Sequence, residues 1–258
     1  MNHRNLAYEK TRGIAIVRLN RPDKRNAMSM DFIQEMIEVL ESIKEDEEVR
    51  VVVIRSEGAV FSSGHDMSEM IGKRAMFYEA LFETCWTMMG LIRDLPQLVI
   101  AQVQGLATAA GCQLVAACDL AIASEDARFA TPGVKIGLFC STPMVPLSRA
   151  VGRKKALEML LTGDMISAEE AERYGLINRV VPPEQLDEEA EAWALRIADA
   201  SPLVLRIGKK AFYEQIEMEE SRAYAYATKV IVLNALAADA QEGMTAFLEK
   251  RRPVWQNR

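Results

Sequence analysis

The chain has 258 residues, a formal net charge of -6 and an apolar share of 50%. That length holds one large domain with a substantial core, or one domain with an appendage. The acidic balance argues against nucleic acid or an anionic membrane as a partner, because both favour a basic face. The 4 cysteines form no CxxC pair and are accompanied by only 2 histidines. We therefore expect a reduced compartment and no metal site.

No targeting or membrane-spanning segment is evident in the sequence. A strand-like run begins by Leu6, and we expect a cytoplasmic protein on that basis. The longest apolar tract, residues 98–124, is interrupted by glutamines and an aspartate that lipid would penalise. This tract is therefore predicted to be strand, helix and strand of a buried layer.

The N-terminal half predicts alternating strands and helices. The helix at residues 29–44 has apolar residues at helical spacing, with Ser29 as its N-cap. The strand at 49–55 is continuously apolar, which predicts burial on both faces. The predicted elements in chain order are a hairpin at 6–20, a polar turn at 21–27, the helix at 29–44, the strand at 49–55, a small-residue loop at 58–67, a helical region ending before Pro96 and a strand at 98–104.

The second half predicts short strands followed by helices alone. The spacing of Ser167 and Glu170 is a capping-box pattern at a helix start. An α/β portion followed by a helical tail predicts a core at 1–195 and an oligomerisation region at 196–258, because isolated helices need a surface to pack on. The predicted elements are strands at 120–124, 128–130 and 176–181, a loop at 131–143, and helices at 144–150, 153–162, 168–174, 184–200, 202–215, 219–238 and 239–250.

Residues 105–119 predict a tight turn from a strand into a helix. The small residues Ala109, Ala110 and Gly111 fall at the first turn of that helix. A helix start carries unpartnered amide N–H groups and the positive end of the helix dipole, so this turn is a candidate oxyanion-binding site. The alternative is that small residues only allow the helix to pack closely on a sheet.

Several stretches of the sequence resemble the crotonase (enoyl-CoA hydratase/isomerase) superfamily over nearly the whole chain. Residues 107–113 and 137–142 look most like its enoyl-CoA hydratase domain-containing protein 3 subgroup. The stretches that carry the resemblance are 20–26 (Asn-Arg-Pro-Asp-Lys-Arg-Asn), 61–66 (Phe-Ser-Ser-Gly-His-Asp), 105–119, 161–168 and 242–251.

The resemblance implies an α/β spiral fold of repeated ββα turns with a C-terminal helical trimerisation region. The expected assembly is a homotrimer or a dimer of trimers. The expected partner is an acyl-CoA thioester whose carbonyl oxygen accepts hydrogen bonds from the amides of His65 and Ala110, with Gly111 beside the second. Coenzyme A would arrive as part of the substrate, and no permanently bound cofactor is expected.

The resemblance also assigns the nucleotide part of coenzyme A to Lys24, Arg25 and Ala27. Backbone groups there would contact adenine, and cations would lie near the phosphates. Lys250 is expected to reach the same ligand from the C-terminal tail. The alternative for Lys24 and Arg25 is an ordinary solvated turn.

The sequence departs from this family at the two positions where hydratases carry catalytic glutamates. Gln113 occupies the first position and Gly133 the second. Neither residue can exchange a proton, because an amide does not titrate and glycine has no side chain. We therefore expect two-glutamate hydration of an enoyl thioester to be inefficient.

Three interpretations follow. First, the oxyanion site serves decarboxylation of a malonyl-type thioester, with Cys140 in place of the tyrosine that similar decarboxylases use, or it serves thioester hydrolysis. Second, another group supplies the base, and His65 can titrate near neutrality although a loop histidine is usually only solvated. Third, the protein binds acyl-CoA without turnover. Other candidate bases are Asp66, Glu69, Glu79, Glu83 and Cys140.

Overall fold

A six-stranded sheet and a four-stranded sheet form the centre of the computed structural model, which describes residues 3–258. The strand order is β1-β2-β3-β5-β7-β10 in the larger sheet and β4-β6-β8-β9 in the smaller. The strands are β1 (Leu6–Thr11), β2 (Ile14–Leu19), β3 (Val51–Ser56), β4 (Val60–Ser62), β5 (Leu98–Val103), β6 (Leu106–Thr108), β7 (Leu120–Ser124), β8 (Arg128–Ala130), β9 (Ile166–Ser167) and β10 (Arg179–Val181).

Helices flank the sheets and make up the C-terminal quarter of the chain. They are α1 (Met30–Lys44), α2 (Met67–Met70), α3 (Ala75–Asp94), α4 (Ala110–Ala117), α5 (Met144–Ala150), α6 (Arg153–Thr162), α7 (Ala168–Tyr174), α8 (Leu186–Ala198), α9 (Pro202–Gln215), α10 (Glu220–Leu236) and α11 (Ala238–Glu249). Within the described residues, no helix combines the length and apolar character needed to span a membrane.

The larger sheet begins with the predicted hairpin. Strands β1 and β2 pair antiparallel, and the connecting Arg12 and Gly13 both have positive φ, at 49° and 78°. From β2 onward the sheet is parallel. Parallel neighbours require crossover connections, and α1, α3 and α4 lie on these connections.

Strand β3 is buried on both faces, as its continuous apolar character predicts. Val52 and Ile54 belong to the main core, which α1, α3 and α4 cover. Val51 and Val53 face a smaller cluster that α8 covers. Alternate residues of a strand point to opposite faces, so each valine in this run has a helix to pack against.

The structure corrects two predicted elements. The stretch 58–67 is not only a loop, because it contains β4, which pairs parallel with β6. Three residues are too few for an alternating pattern to be visible, so only the pairing defines this strand. The helical region before Pro96 is two helices, α2 and α3, with Gly72 at positive φ between them.

Strand-strand-helix units recur along the core. Strands β3 and β4 precede α2 and α3, β5 and β6 precede α4, and β7 and β8 precede α5. This is the repeated ββα order that the family resemblance implies. In each of the first two units the first strand joins the larger sheet and the second joins the smaller. The turns that lead out of the small sheet therefore lie together.

A buried ion pair ties the helical tail to the core. The ammonium group of Lys209 on α9 lies 2.7 Å from the carboxylate of Asp119 and donates to the carbonyls of Ile92 and Gln97. Asp119 also accepts from the amide of Val99 and the hydroxyl of Tyr213. Helix α10, by contrast, has no buried residue in the isolated chain. The predicted boundary at 195/196 falls inside α8, and the division into two regions stays a prediction.

Candidate active site

The turn between β6 and α4 is the centre of the candidate site. Ala109 occupies it with φ 50° and ψ -117°, a conformation that costs a non-glycine residue roughly 1 to 3 kcal/mol. Its amide donates to the carbonyl of Ala130 at 3.0 Å. Helix α4 begins at the next residue, so the amide of Ala110 is one of the groups that a helix leaves without an intrahelical acceptor.

The loop after β4 packs directly on this turn. A β-carbon added to Gly64 would lie 2.8 Å from the Cβ of Ala109 and 3.2 Å from the amide nitrogen of Ala110. Gly64 also has φ 93°, which favours glycine. A glycine at this point therefore lets the backbone leading into His65 approach the start of α4.

Gly111 allows a second close approach between the same two segments. A β-carbon on Gly111 would lie 2.3 Å from the carbonyl oxygen of Ser62. The alternative explanation for the small residues, close packing, is therefore correct for Gly111. It does not exclude anion binding at Ala110, since the same packing brings the two backbone segments together.

Backbone hydrogen bonds hold the His65 loop in place. The amide of Met28 donates to the carbonyl of Gly64 at 2.8 Å, and the amide of Asp66 donates to the carbonyl of Met28 at 3.0 Å. These two hydrogen bonds involve the residues on either side of His65. They fix the backbone around His65 without using its own amide N–H as a donor. Ser63 donates to the carbonyl of Arg25 at 3.1 Å, which connects this loop to the segment expected to bind the nucleotide.

Two residues that organise the segment at 20–27, where the nucleotide is expected to bind, were not singled out from the sequence. Arg21 pairs with the carboxylate of Asp66 at 2.9 Å and donates to the carbonyl of Ala27. The side chain of Asn26 is fully buried and donates to the carbonyls of Glu57 and Val60. Both lie in the stretch that carries the family resemblance, so their identity was visible in the sequence, but their contacts arise only from the fold.

The predicted nucleotide-binding residues lie beside the His65 loop, except for Lys250. Lys24 and Arg25 are exposed and Ala27 is buried. The backbone of Arg25 has φ 53°, so the turn is sharply folded. Lys250 is the exposed C-cap of α11, and its approach to the nucleotide stays a prediction.

Both ring nitrogens of His65 are shielded from solvent, while the residue as a whole is half-buried. Within the described residues neither ring nitrogen has a hydrogen-bond partner. The ring packs edge-on against Phe82 of α3, with 5.3 Å between the ring centroids. Burial lowers the pKa of His65 to about 4, so the imidazole is neutral at physiological pH.

The surroundings of Gln113 and Gly133, the two positions without a glutamate, differ. Gln113 is 4% exposed, and its Oε1 atom has no partner in the described chain. A β-carbon on Gly133 would lie 2.0 Å from the carbonyl oxygen of Leu138. The loop after Gly133 therefore occupies the space where a side chain would begin. Nearby in the sequence, Thr131 is fully buried, and its hydroxyl also has no partner among residues 3–258.

Cys140 lies against Gly133. A β-carbon added to Gly133 would be 2.8 Å from the Cys140 sulfur. Burial raises the pKa of the Cys140 thiol, and burial raises that of Cys112 to about 12. Both groups therefore stay protonated at neutral pH, so neither serves as a general base.

The carboxylates proposed as alternative bases are engaged or exposed. Asp66 is paired with Arg21 and accepts from Ser68, and Glu69 accepts from the amide of Met30. Glu79 and Glu83 lie on the exposed side of α3. They line a cavity of about 600 Å³, together with Ala75, Tyr78, Phe82, Trp86 and Thr142.

Comparison with known proteins gives the family. The family model described as enoyl-CoA hydratase/isomerase matches residues 9–258. The chain belongs to the enoyl-CoA hydratase/isomerase family. A rat relative, enoyl-CoA hydratase domain-containing protein 3, mitochondrial, is 50% identical over 95% of this chain and 82% of its own length, and its human counterpart is 48% identical over 95% and 81%.

Solved structures of the enoyl-CoA hydratase/isomerase family confirm the crotonase fold. A crystal structure of enoyl-CoA hydratase from Mycobacterium smegmatis superposes with a TM-score of 0.96, covers 98% of this chain and 99% of its own, and is 48% identical. The human enoyl-CoA hydratase domain-containing protein 3 structure gives 0.95 at 46% identity, over 98% and 100% of the two chains. The resemblance to the domain-containing protein 3 subgroup is thereby confirmed as well.

The expected cytoplasmic location is contradicted by these relatives. The rat and human members of the family are both named as mitochondrial proteins. The expectation depended on the few residues before the first strand, and the fold itself does not specify a compartment.

Proposed function

We propose that this protein binds an acyl-CoA thioester and stabilises its enolate through the backbone amides of His65 and Ala110. The observation that supports this most directly is the contact of Gly64 with Ala109 and Ala110, which brings the two amide-bearing segments side by side. Fixed amide donors favour the negative charge that develops on a thioester oxygen, and one such donor typically lowers the barrier by roughly 3 to 4 kcal/mol.

Removing the oxygen from the ligand tests this proposal without changing the protein. S-butyl-CoA is a thioether that has the same chain as butyryl-CoA but no carbonyl oxygen. If two amides donate hydrogen bonds to the carbonyl oxygen, butyryl-CoA should bind roughly tenfold to hundredfold more tightly than S-butyl-CoA. Titration calorimetry with both ligands, and with free coenzyme A as a reference, measures the difference. Equal affinities for the two acyl ligands would remove the oxyanion site from the proposal.

Hydration of an enoyl thioester is expected to be slow. Gln113 cannot take a proton, and the carbonyl of Leu138 occupies the space beside Gly133. The absence of each acid or base lowers the rate by about a hundred- to ten-thousand-fold. Mass analysis of products from crotonyl-, malonyl-, methylmalonyl- and saturated acyl-CoA tests this. Rapid hydration of crotonyl-CoA that Gln113→Ala abolishes would contradict it, and binding of every ligand without any product would favour a non-catalytic protein.

The environment of Cys140 favours decarboxylation of a malonyl-type thioester as the second candidate reaction. Departure of CO2 leaves the electron pair on the enolate, so no general base is needed. Reprotonation of the carbon needs an acid, and Cys140 carries a thiol proton next to Gly133. The loss of CO2 from malonyl-CoA in the same product assay distinguishes this reaction from hydrolysis, which would release free coenzyme A.

The coenzyme A nucleotide is proposed to lie along Lys24, Arg25 and Ala27. Their segment is hydrogen-bonded to the His65 loop through Ser63, so the two parts of one ligand would bind adjacent backbone.

We also propose a homotrimer or a dimer of trimers, since the C-terminal helices expose large apolar side chains. Those more than two-thirds exposed are Tyr224, Leu233, Leu236, Phe247 and Leu248.

A further inference from the structure

We infer that the imidazole of His65 is the base that removes a proton from the α-carbon of the bound acyl thioester. The inference rests on the proposed function, because it places the thioester oxygen on the amide of the same residue. It supplies the proton-transfer group that Gln113 and Gly133 do not provide.

Elimination among the groups around the turn supports this role. Gln113 and Thr131 do not titrate, the thiols of Cys112 and Cys140 stay protonated, and Asp66 is paired with Arg21. Glu79 and Glu83 line the cavity along α3 but lie on its solvent-exposed side. Within residues 3–258, His65 is the one titratable side chain packed at this turn that is both unprotonated and unpaired.

The surroundings of the imidazole indicate a ligand. A neutral imidazole has one N–H donor and one acceptor nitrogen, and both are buried here without partners in the described chain. Leaving such groups unsatisfied destabilises the folded protein. The ring contacts Phe82, which lines the cavity along α3. The imidazole therefore contacts a side chain that lines a cavity, and its own backbone lies at the turn before α4.

The chemistry balances without a further reactant. The unprotonated ring nitrogen takes the α-proton, the C–H electron pair moves into the enolate, and the negative charge develops on the oxygen held by the two amides. The imidazolium then forms an ion pair with the enolate, which offsets the cost of charging a buried ring. The imidazolium exchanges its proton with solvent and then delivers a solvent-derived proton to the α-carbon, which regenerates the neutral imidazole. The net result is exchange of the α-proton.

Exchange of the α-protons of butyryl-CoA in D2O, followed by mass, tests this inference. We expect His65→Phe, which keeps an aromatic ring against Phe82, to lower the exchange rate by about a hundredfold or more. Affinity for butyryl-CoA should remain within about threefold, because the backbone donors are unchanged. His3→Phe, at the only other histidine, is the control and should exchange at the wild-type rate.

Rescue by added imidazole separates a base from a structural ring. In His65→Ala, exchange should be lost and then return in proportion to the imidazole concentration. Wild-type exchange in His65→Phe, or absence of exchange in the wild-type protein, would overturn the inference. A retained preference for butyryl-CoA over S-butyl-CoA in that case would leave the proposed oxyanion site standing, so the two failures are distinguishable.

Discussion

At the scale of single residues, the site combines backbone donors with side chains that lack partners. Gly64 and Gly111 allow two segments to approach, while Ala109 adopts a strained conformation between them. Gln113, Thr131 and His65 each present a buried polar atom without a partner in the described chain. Unsatisfied polar groups and backbone strain both reduce stability, so their concentration at one turn indicates a binding site.

The pKa of His65 gives a prediction for stability as a function of pH. Its value falls from 6.5 to about 4 on folding, so between those values the unfolded chain binds more protons than the native protein. Stability due to this residue is therefore fully present above pH 6.5 and is lost as the pH falls towards 4. The full difference is roughly 3 kcal/mol.

Urea unfolding of the wild type and of His65→Phe between pH 7 and pH 4 checks this prediction. The free energy of unfolding should fall more steeply with decreasing pH in the wild type than in the variant, since the variant lacks the titrating group. Carboxylates contribute equally to both proteins and cancel in the comparison. Parallel pH curves would show that the imidazole is not buried in the neutral form.

At the scale of elements, a buried ion pair is part of the connection between α9 and the sheet. Lys209 and Asp119 are 2% and 6% exposed in their side chains. Burial raises the pKa of Asp119 and lowers that of Lys209, and the attraction between the two charges opposes both shifts. Each buried charge is therefore tolerated because its partner is present, and removing either partner leaves an uncompensated buried charge.

Removing one partner should destabilise the protein strongly. In Lys209→Met the Asp119 carboxylate stays buried without its counter-charge, which predicts a loss of about 3 to 5 kcal/mol in the free energy of unfolding. Asp119→Asn combined with Lys209→Met removes both charges and should recover a large part of that loss. Urea denaturation of the two variants measures this. Equal losses in the single and double variants would contradict a charge-based explanation.

The sequence predicted most elements because their patterns are local. The helix with Ser29 as N-cap, the capping box at Ser167 and the doubly buried β3 all follow from spacing and burial. Strand β4 was missed, because a three-residue strand is defined only by its pairing with β6. The roles of Arg21 and Asn26 were missed for the same reason. Their partners, Asp66 and the carbonyl of Glu57, are distant in sequence and come close only in the folded chain.

In the candidate site, too, the local features were predictable from the sequence and the contacts between distant residues were not. The helix start at Ala110 follows from a local pattern, and the neighbouring His65 loop came from the family resemblance. The burial of the imidazole and the obstruction at Gly133 depend on Phe82 and Leu138, which the sequence alone does not place. The structure thus adds the surroundings of residues whose positions were already suspected.

At the scale of the whole molecule, the C-terminal helices expose large apolar side chains. Leu236 is 75% exposed at the end of α10, and Phe247 and Leu248 on α11 are 82% and 79% exposed. Apolar side chains of this size in one region indicate an interface, because monomeric proteins rarely expose large contiguous apolar patches. The preceding helix α9 is connected to the core through Lys209.

A charge placed on this face should therefore dissociate the proposed homotrimer. In Leu236→Glu, association would bury a carboxylate without a partner, which is costly enough to shift the protein from trimer towards monomer. Ser42→Glu on the exposed surface of α1 introduces the same charge elsewhere and should leave the mass unchanged. Light scattering coupled to size-exclusion chromatography measures the mass of each protein. A monomeric wild type, or a Leu236→Glu variant that keeps the wild-type mass, would show that this face is not the oligomer interface.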